Sequence, residues 1–241
     1  MALMDTLFIT VVFIVAGLVK GVTGMGLPTV AIALLSLRMP PLSAAALLIV
    51  PSSVTNVWQL AAGPSVYPLW QRFKWVMLAI CVGVAAAGWL GAASWSGAVL
   101  GLALVGYGLL GLSGWRAQVA ERHQRWAGPL AGAATGLMAG VTGVFVMPVA
   151  PYLQALNLNK DDLVQALGMA FTIGTLALAV MLTLNGTWHA TAAGASVLTL
   201  IPAVAGMQLG QWLRDRMPPA VFRRCFFIAL LALGAHQLIR L

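Results

Sequence analysis

"GLVKGVTGMGLPTV", residues 17–30, sets a lysine and four glycines inside an apolar run that extends over residues 7–37. Glycine costs about 1 kcal/mol in a helix interior relative to alanine. Lysine at the centre of a bilayer costs about 3 kcal/mol or more. The same pattern returns later in the chain. Gly17-x-x-x-Gly21-Val22-Thr23-Gly24 reappears as Gly136-x-x-x-Gly140-Val141-Thr142-Gly143, and a proline follows each copy, Pro28 and Pro148, with one extra residue in the second. Ser52 and Thr55 then correspond to Thr172 and Thr175 at the same offset as the prolines. The match predicts a single membrane domain, 1–241, built by duplication. Repeat 1 is 1–120 and repeat 2 is 121–241, with a polar seam, RAQVAERHQRW, at 116–126.

Composition sets the class. Hydrophobic residues make up 61% of the 241 and charged residues 7%, and mean hydropathy is +0.96. Soluble domains carry about 25% charged residues, so this chain could not cover itself with polar groups in water. It reads as an all-α polytopic membrane protein whose surroundings are the lipid bilayer. The net charge of +8 is dispersed in short clusters between apolar runs, a loop pattern rather than a nucleic-acid surface. The first residues, MALMDTLF, lack a basic n-region and read as a first membrane segment, not a cleaved signal. Cys81 and Cys225 have neither C-x-x-C spacing nor a histidine cluster, so no metal or other cofactor is implied.

Runs long enough to cross about 30 Å of hydrocarbon lie at 42–62, 75–93, 97–114, 163–184, 190–213 and 220–239. Seven of the nine tryptophans (70, 75, 95, 115, 126, 188 and 212) sit near run ends, as an interfacial belt requires. Two regions remain, 3–37 and 128–158, each broken by glycines. If both cross, the loops carry six basic residues on each side. If each enters and returns, Arg38 and Arg240 face ten others, with Lys20 left inside. Two against ten is the asymmetry of the positive-inside rule, with Arg72, Arg122, Lys160 and Arg214 cytoplasmic and both termini outside. In this arrangement 128–139 and 149–158 form half-depth arms of about 18 and 15 Å; the first copy is less regular, because 2–19 could cross alone. Each half is then a re-entrant hairpin plus three transmembrane helices, about eight hydrophobic segments in all. The odd number of crossings makes the halves inverted repeats. Eight plain spans are the competing arrangement.

Non-helical backbone at membrane depth is tolerated only inside protein or beside a water-filled cavity, so the breaks belong in the interior. Pro28 and Pro148 suit the first turn of a returning helix, whose unpaired N–H groups attract anions. Lys20 adds a full positive charge beside the first break, and its counterpart Ala139 adds none. The candidate substrate-binding residues are therefore Lys20, Thr23, Gly24, Gly26 and Pro28, with Thr142, Gly143 and Pro148 at the second break. Ser52, Thr55, Asn56 and Gln59 share one helical face, and Gly168, Thr172 and Thr175 form the equivalent face; as stripes lining a cavity, Ser52, Thr55, Asn56, Gln59, Thr172 and Thr175 join the candidate substrate-binding residues, Asn56 foremost because its amide is costly to bury unpaired. Each feature also has a structural reading. Gly-x-x-x-Gly packs helices, Thr23 and Thr142 could cap turns, and polar stripes could join helices by hydrogen bonds. Prolines 51 and 202 are expected to kink their helices. The five acids, Asp5, Glu121, Asp161, Asp162 and Asp215, all fall at or beyond segment ends. Without a midplane carboxylate, a small anionic substrate is favoured over a cation. Proton coupling would have to use Lys20, a histidine (His123, His189 or His236) or the substrate itself.

"AGLVKGVTGMGLPTVAIALLSL" (16–37), "TGLMAGVTGVFVMP" (135–148) and "GMQLGQWLRDRMPPAVFRRCFFIALLALG" (206–234) resemble the signatures of the sulfite exporter TauE/SafE family of TSUP membrane transporters. The resemblance implies secondary transport of small sulfur-containing anions, such as sulfite and organosulfonates, across the bacterial inner membrane. Gly24, Gly26, Pro28, Gly143 and Pro148 fall on its motif. The chain departs from the family's denser glycine cluster at Met25 and Leu27, and at Val144-Phe145-Val146-Met147. An enzyme is disfavoured, because no nucleophile–base pair or metal set is visible. A membrane scaffold or assembly protein without transport activity is the alternative.

Overall fold

The computed structural model describes residues 3–63, 65–90, 95–114, 118–188, 190–214, 216 and 219–240. Trp115, Arg116, His189 and Asp215, used in the topology and charge reading above, lie outside them. The described residues form helices and no strands. The first half contributes α1 (Leu3–Thr23), α2 (Leu27–Leu35), α3 (Pro41–Ala61), α4 (Val66–Trp89) and α5 (Ser96–Ser113). The second contributes α6 (Glu121–Thr142), α7 (Val149–Gln154), α8 (Lys160–Leu184), α9 (Ala190–Leu198), α10 (Leu200–Arg214) and α11 (Pro219–Ile239). Among the described residues, seven helices are long and apolar enough to cross a membrane. The chain is an all-α polytopic membrane protein.

Contacts fix where the arms of each break end. Arg38, just after α2, lies 3.8 Å from Asp5 and over the Phe8 ring, both at the start of α1. Arg240 donates to the Leu37 carbonyl at that same end. Beyond α7, the Ala155 carbonyl accepts from Val119 N–H, and the Tyr152 hydroxyl donates to the Gln124 carbonyl near the start of α6. Arg72 reaches Gln124 there. Both short arms therefore return to the end at which the long arm began. The arms of the first break meet near Arg38 and those of the second near Arg72.

The arms of the second break are unequal, contrary to the expected half-depth pair, and the first break has one long arm, as the run 2–19 allowed. α1 and α6 run 21 and 22 residues, whereas α2 and α7 run 9 and 6. The long arms continue because each has a full-length helix beside it. α1 lies along α10: a Cβ added to Gly17 or Gly21 would run into the carbonyl oxygens of Ala203 and Met207. α6 lies along α4 in the same way, with Gly136 against the Ile80 carbonyl. The motif's Gly-x-x-x-Gly is thus a packing face that lets backbones touch. Two boundaries also shift. α4 starts at Val66 rather than 75, and α6 starts at Glu121, so the second half of the polar seam is helical. The polar residues Glu121–Arg125 occupy a first turn that projects beyond the apolar layer, where charge does not oppose a helix.

Pro51 sits inside α3 and lacks an N–H, which leaves the Leu47 carbonyl without its helical donor. Ser196 and Thr199 supply donors at 2.9 and 3.1 Å, and Ser196 also accepts the Val50 N–H. The helix carrying them is itself interrupted at Thr199, three residues before Pro202, so the 190–213 run becomes α9 and α10.

Two outcomes are expected. A cysteine at position 160 should label from the same side as one at position 72, and from the opposite side to one at position 38. Labelling of 160 with 38 would mean that the second hairpin crosses. The double variant Ser196→Ala/Thr199→Val strands the Leu47 carbonyl and should lose about 1–3 kcal/mol in a reversible unfolding assay.

Candidate functional site

The first break forms because α1 ends on two left-handed glycines, Gly24 (φ 77°) and Gly26 (φ 93°), a conformation glycine adopts without a Cβ clash. Thr23 caps the turn: its hydroxyl lies 2.9 Å from the Val19 carbonyl and 2.6 Å from that of Met25, and accepts the Met25 N–H at 3.2 Å. Thr142 does the same at the second break, bonding the Met138 carbonyl at 2.7 Å and accepting the Val144 N–H. These are the bonds of a turn cap at both breaks. Gly26 is the N-cap of α2, wedged between Val19 and Phe226, and Pro28 stands in α2's first turn. Pro148 is the N-cap of α7 rather than inside it.

Lys20 is 5% exposed. Its ammonium donates to Thr55 Oγ1 at 3.0 Å and to Asn56 Oδ1. Thr55 can accept because its own proton goes to the Pro51 carbonyl at 2.6 Å. Among the described residues the single ion pair is Arg38–Asp5, so no carboxylate neutralises Lys20. An ammonium has three donors, and Lys20 borders a cavity of about 490 Å³ that also takes in Gly24, Thr55, Gln59, Gln211 and Arg214. Asp161 lines it too, which gives two cations against one carboxylate. The mouth lies towards Gly63 and Asp161, at the Arg72 end.

The sequence-derived residues divide into two groups. Lys20, Gly24, Thr55 and Gln59 line the open cavity, with Asn56 buried behind Lys20. Gln59 spends its amide N–H on the Val164 carbonyl, and Gln165 returns a bond to the Leu60 carbonyl, so the two glutamines clamp α3 to α8. Thr172 turns its hydroxyl onto the Gly168 carbonyl. Pro28, Ser52, Gly143 and Thr175 gather instead around a second void of about 10 Å³, which Phe145 also lines. The expected pair of breaks facing one site is therefore split into an open half and a shut half. Sequence reasoning did not find Trp58, Gln165, Gln211 or Arg214 in the lining. Gln165 extends the α8 face of Gly168 and Thr172 by one turn, a signal that helical spacing alone could have supplied. Gln211 and Arg214 come from α10, which reaches the cavity by packing on α1, and nothing in their own stretch marks them.

The model of the sulfite exporter TauE/SafE family matches residues 9–236. The chain belongs to that family. No curated protein and no solved structure matches it. TauE/SafE membership makes this a multi-pass membrane protein of a transporter family, in accord with its apolar helices.

The two breaks should respond differently to one added methyl. At Gly24 a Cβ meets nothing within 4 Å, whereas at Gly143 it would lie 2.5 Å from Ala45 Cβ and 2.7 Å from Ile32 Cδ1. Gly24→Ala is expected to cost about 1–2 kcal/mol, for the left-handed backbone alone. Gly143→Ala should cost a further 1–3 kcal/mol, roughly, from overpacking. Thermal melting of the two variants checks this, and equal midpoints would mean that the breaks are packed alike.

Proposed function

We propose that the chain is a secondary transporter of small sulfur-containing anions, sulfite or organosulfonates, in the bacterial inner membrane. It works by alternating access around Lys20, and its halves, 1–120 and 121–241, are inverted repeats. The observation that carries this reading is the Lys20 ammonium: buried, held by two neutral acceptors, unmatched by a carboxylate, and open to a cavity. A buried charge without a counter-ion is costly, and an anionic substrate supplies the missing partner. Arg214 at the mouth adds attraction for the incoming anion, and Gly24 leaves room for it beside the ammonium.

The helix pairing supports the duplication. α1 lies along α10 and α6 along α4, while α3 pairs with α8 and α5 with α11. Exchanging the halves turns each of the first two pairs into the other and leaves the last two unchanged. The cavity's mouth at the Arg72 end, the cation-rich and hence cytoplasmic end, fits an inward-facing state. Family membership supports a sulfur-containing anion as the cargo.

Labelled sulfite binding and uptake by the full chain in proteoliposomes test the reading. Lys20→Met should weaken sulfite binding by about 1–3 kcal/mol, roughly 5- to 150-fold, as for a lost charge-assisted contact. Lys20→Arg should keep part of the affinity. Equal affinity in wild type and Lys20→Met would remove Lys20 from the site.

A further inference from the structure

Helix hydroxyls in this protein usually discharge their proton on the carbonyl four residues earlier. Thr10, Thr135, Thr142 and Thr172 all do so, at 2.7–2.8 Å. Ser52 on α3 and Thr175 on α8 do not. Each is 2% exposed, and neither hydroxyl has a hydrogen-bond partner among the described residues. The amide nitrogen of Asn56 is likewise buried and unpartnered, while its oxygen accepts from Lys20. An unmet buried donor costs about 1–3 kcal/mol, so three in one neighbourhood is an arrangement that packing alone does not favour.

Their placement is ordered. Ser52 and Asn56 stand one turn apart on the same face of α3, with Asn56 on the Lys20 side. Ser52 and Thr175 both line the 10 Å³ void. From Gly63 back along α3 the open cavity takes Gln59 and Thr55, and the void takes Ser52, Ile49 and Leu48 next in line. The void therefore lies further along α3 than the Thr55 that holds Lys20. Pro28 brings the first turn of the nine-residue α2 to its edge, and a helix start carries partial positive charge.

We propose that Ser52, Thr175 and the Asn56 amide form a second anion subsite beyond Lys20, which takes a small oxyanion stripped of its water. The proposal rests on the anion-transport reading above. The Asn56 nitrogen and the two hydroxyl protons are free to donate, and the void has no carboxylate in its lining, so its donors suit an anion and nothing in it neutralises a full positive charge. A void of about 10 Å³ holds about one water and not an oxyanion, so the subsite fills only when its apolar wall moves. Phe145 is that wall: its ring rests on α8 where Gly174 has no side chain, 2.6 Å from the position of an added Cβ. Lys20 then holds the anion on the open side, and the hydroxyls receive it as Phe145 and the second break withdraw.

The test is the near-isosteric double variant Ser52→Ala/Thr175→Val, with sulfite as the probe. Calorimetry reads sulfite binding at the Lys20 cavity and ³⁵S-sulfite uptake into proteoliposomes reads passage. Wild type and the double variant should bind sulfite within about twofold of each other, while uptake by the variant falls at least tenfold; Thr175→Ser should keep uptake. The variant should melt at or above the wild-type temperature, because only unpartnered hydroxyls are lost. Wild-type uptake by the double variant overturns the subsite and leaves the hydroxyls as hosts for a structural water only. A lower melting temperature also overturns it, since the hydroxyls would then be bonded within the folded protein. Failure of the wild type to bind sulfite, with Lys20→Met unchanged, defeats the transport reading itself and is read from binding alone.

Discussion

Backbone polar groups have no water to turn to inside hydrocarbon. A helix that stops at membrane depth must therefore stop inside protein, and this chain stops twice. The long arms α1 and α6 are each sheathed by a helix from the other half, at backbone contact across glycine faces. Where a proline adds a third liability, at Pro51, hydroxyls from Ser196 and Thr199 take up the stranded carbonyl. The same requirement shapes packing and site alike. Glycine faces bring the breaks in, and threonine caps finish the turns.

Once the breaks are inside, a single charge organises what surrounds them. Lys20 is met by neutral oxygens from Thr55 and Asn56 rather than by a carboxylate. Neutral acceptors hold the ammonium in position without cancelling its field. A carboxylate there would close an internal ion pair and remove most of the attraction for an anion. The described acids, Asp5, Glu121, Asp161 and Asp162, stay at helix ends, and the one in the cavity, Asp161, lies at the mouth.

The proposed duplication is unequal where function requires it. The first copy places a lysine and small residues at its break, and an open cavity forms. The second has Ala139 in place of the lysine and Phe145 beyond Gly143, and Ile32, Ala45 and the Phe145 ring fill the space. One break carries a charge beside open space, and the other is filled by apolar side chains. A symmetric pair of charged breaks would place two cations in one interior, where their mutual repulsion is weakly screened.

Much of this was legible in the residues. Hydropathy fixed the membrane class, the two GVTG copies located the breaks, and the uneven spread of arginine and lysine favoured hairpins over crossings. Each of these is a local or additive property, so a linear reading finds it. Lys20 stood out for the same reason, as the only charge inside an apolar run. The length of α6 was not legible, because it persists through contact with α4, a helix from the other half. Nor was the division of the polar residues. Thr55 and Ser52 lie three positions apart on one helical face, yet one borders an open cavity and the other a closed void. Phe145, from the opposite half, is among the residues that crowd the void, and volume shared between distant segments exists only once the chain has folded.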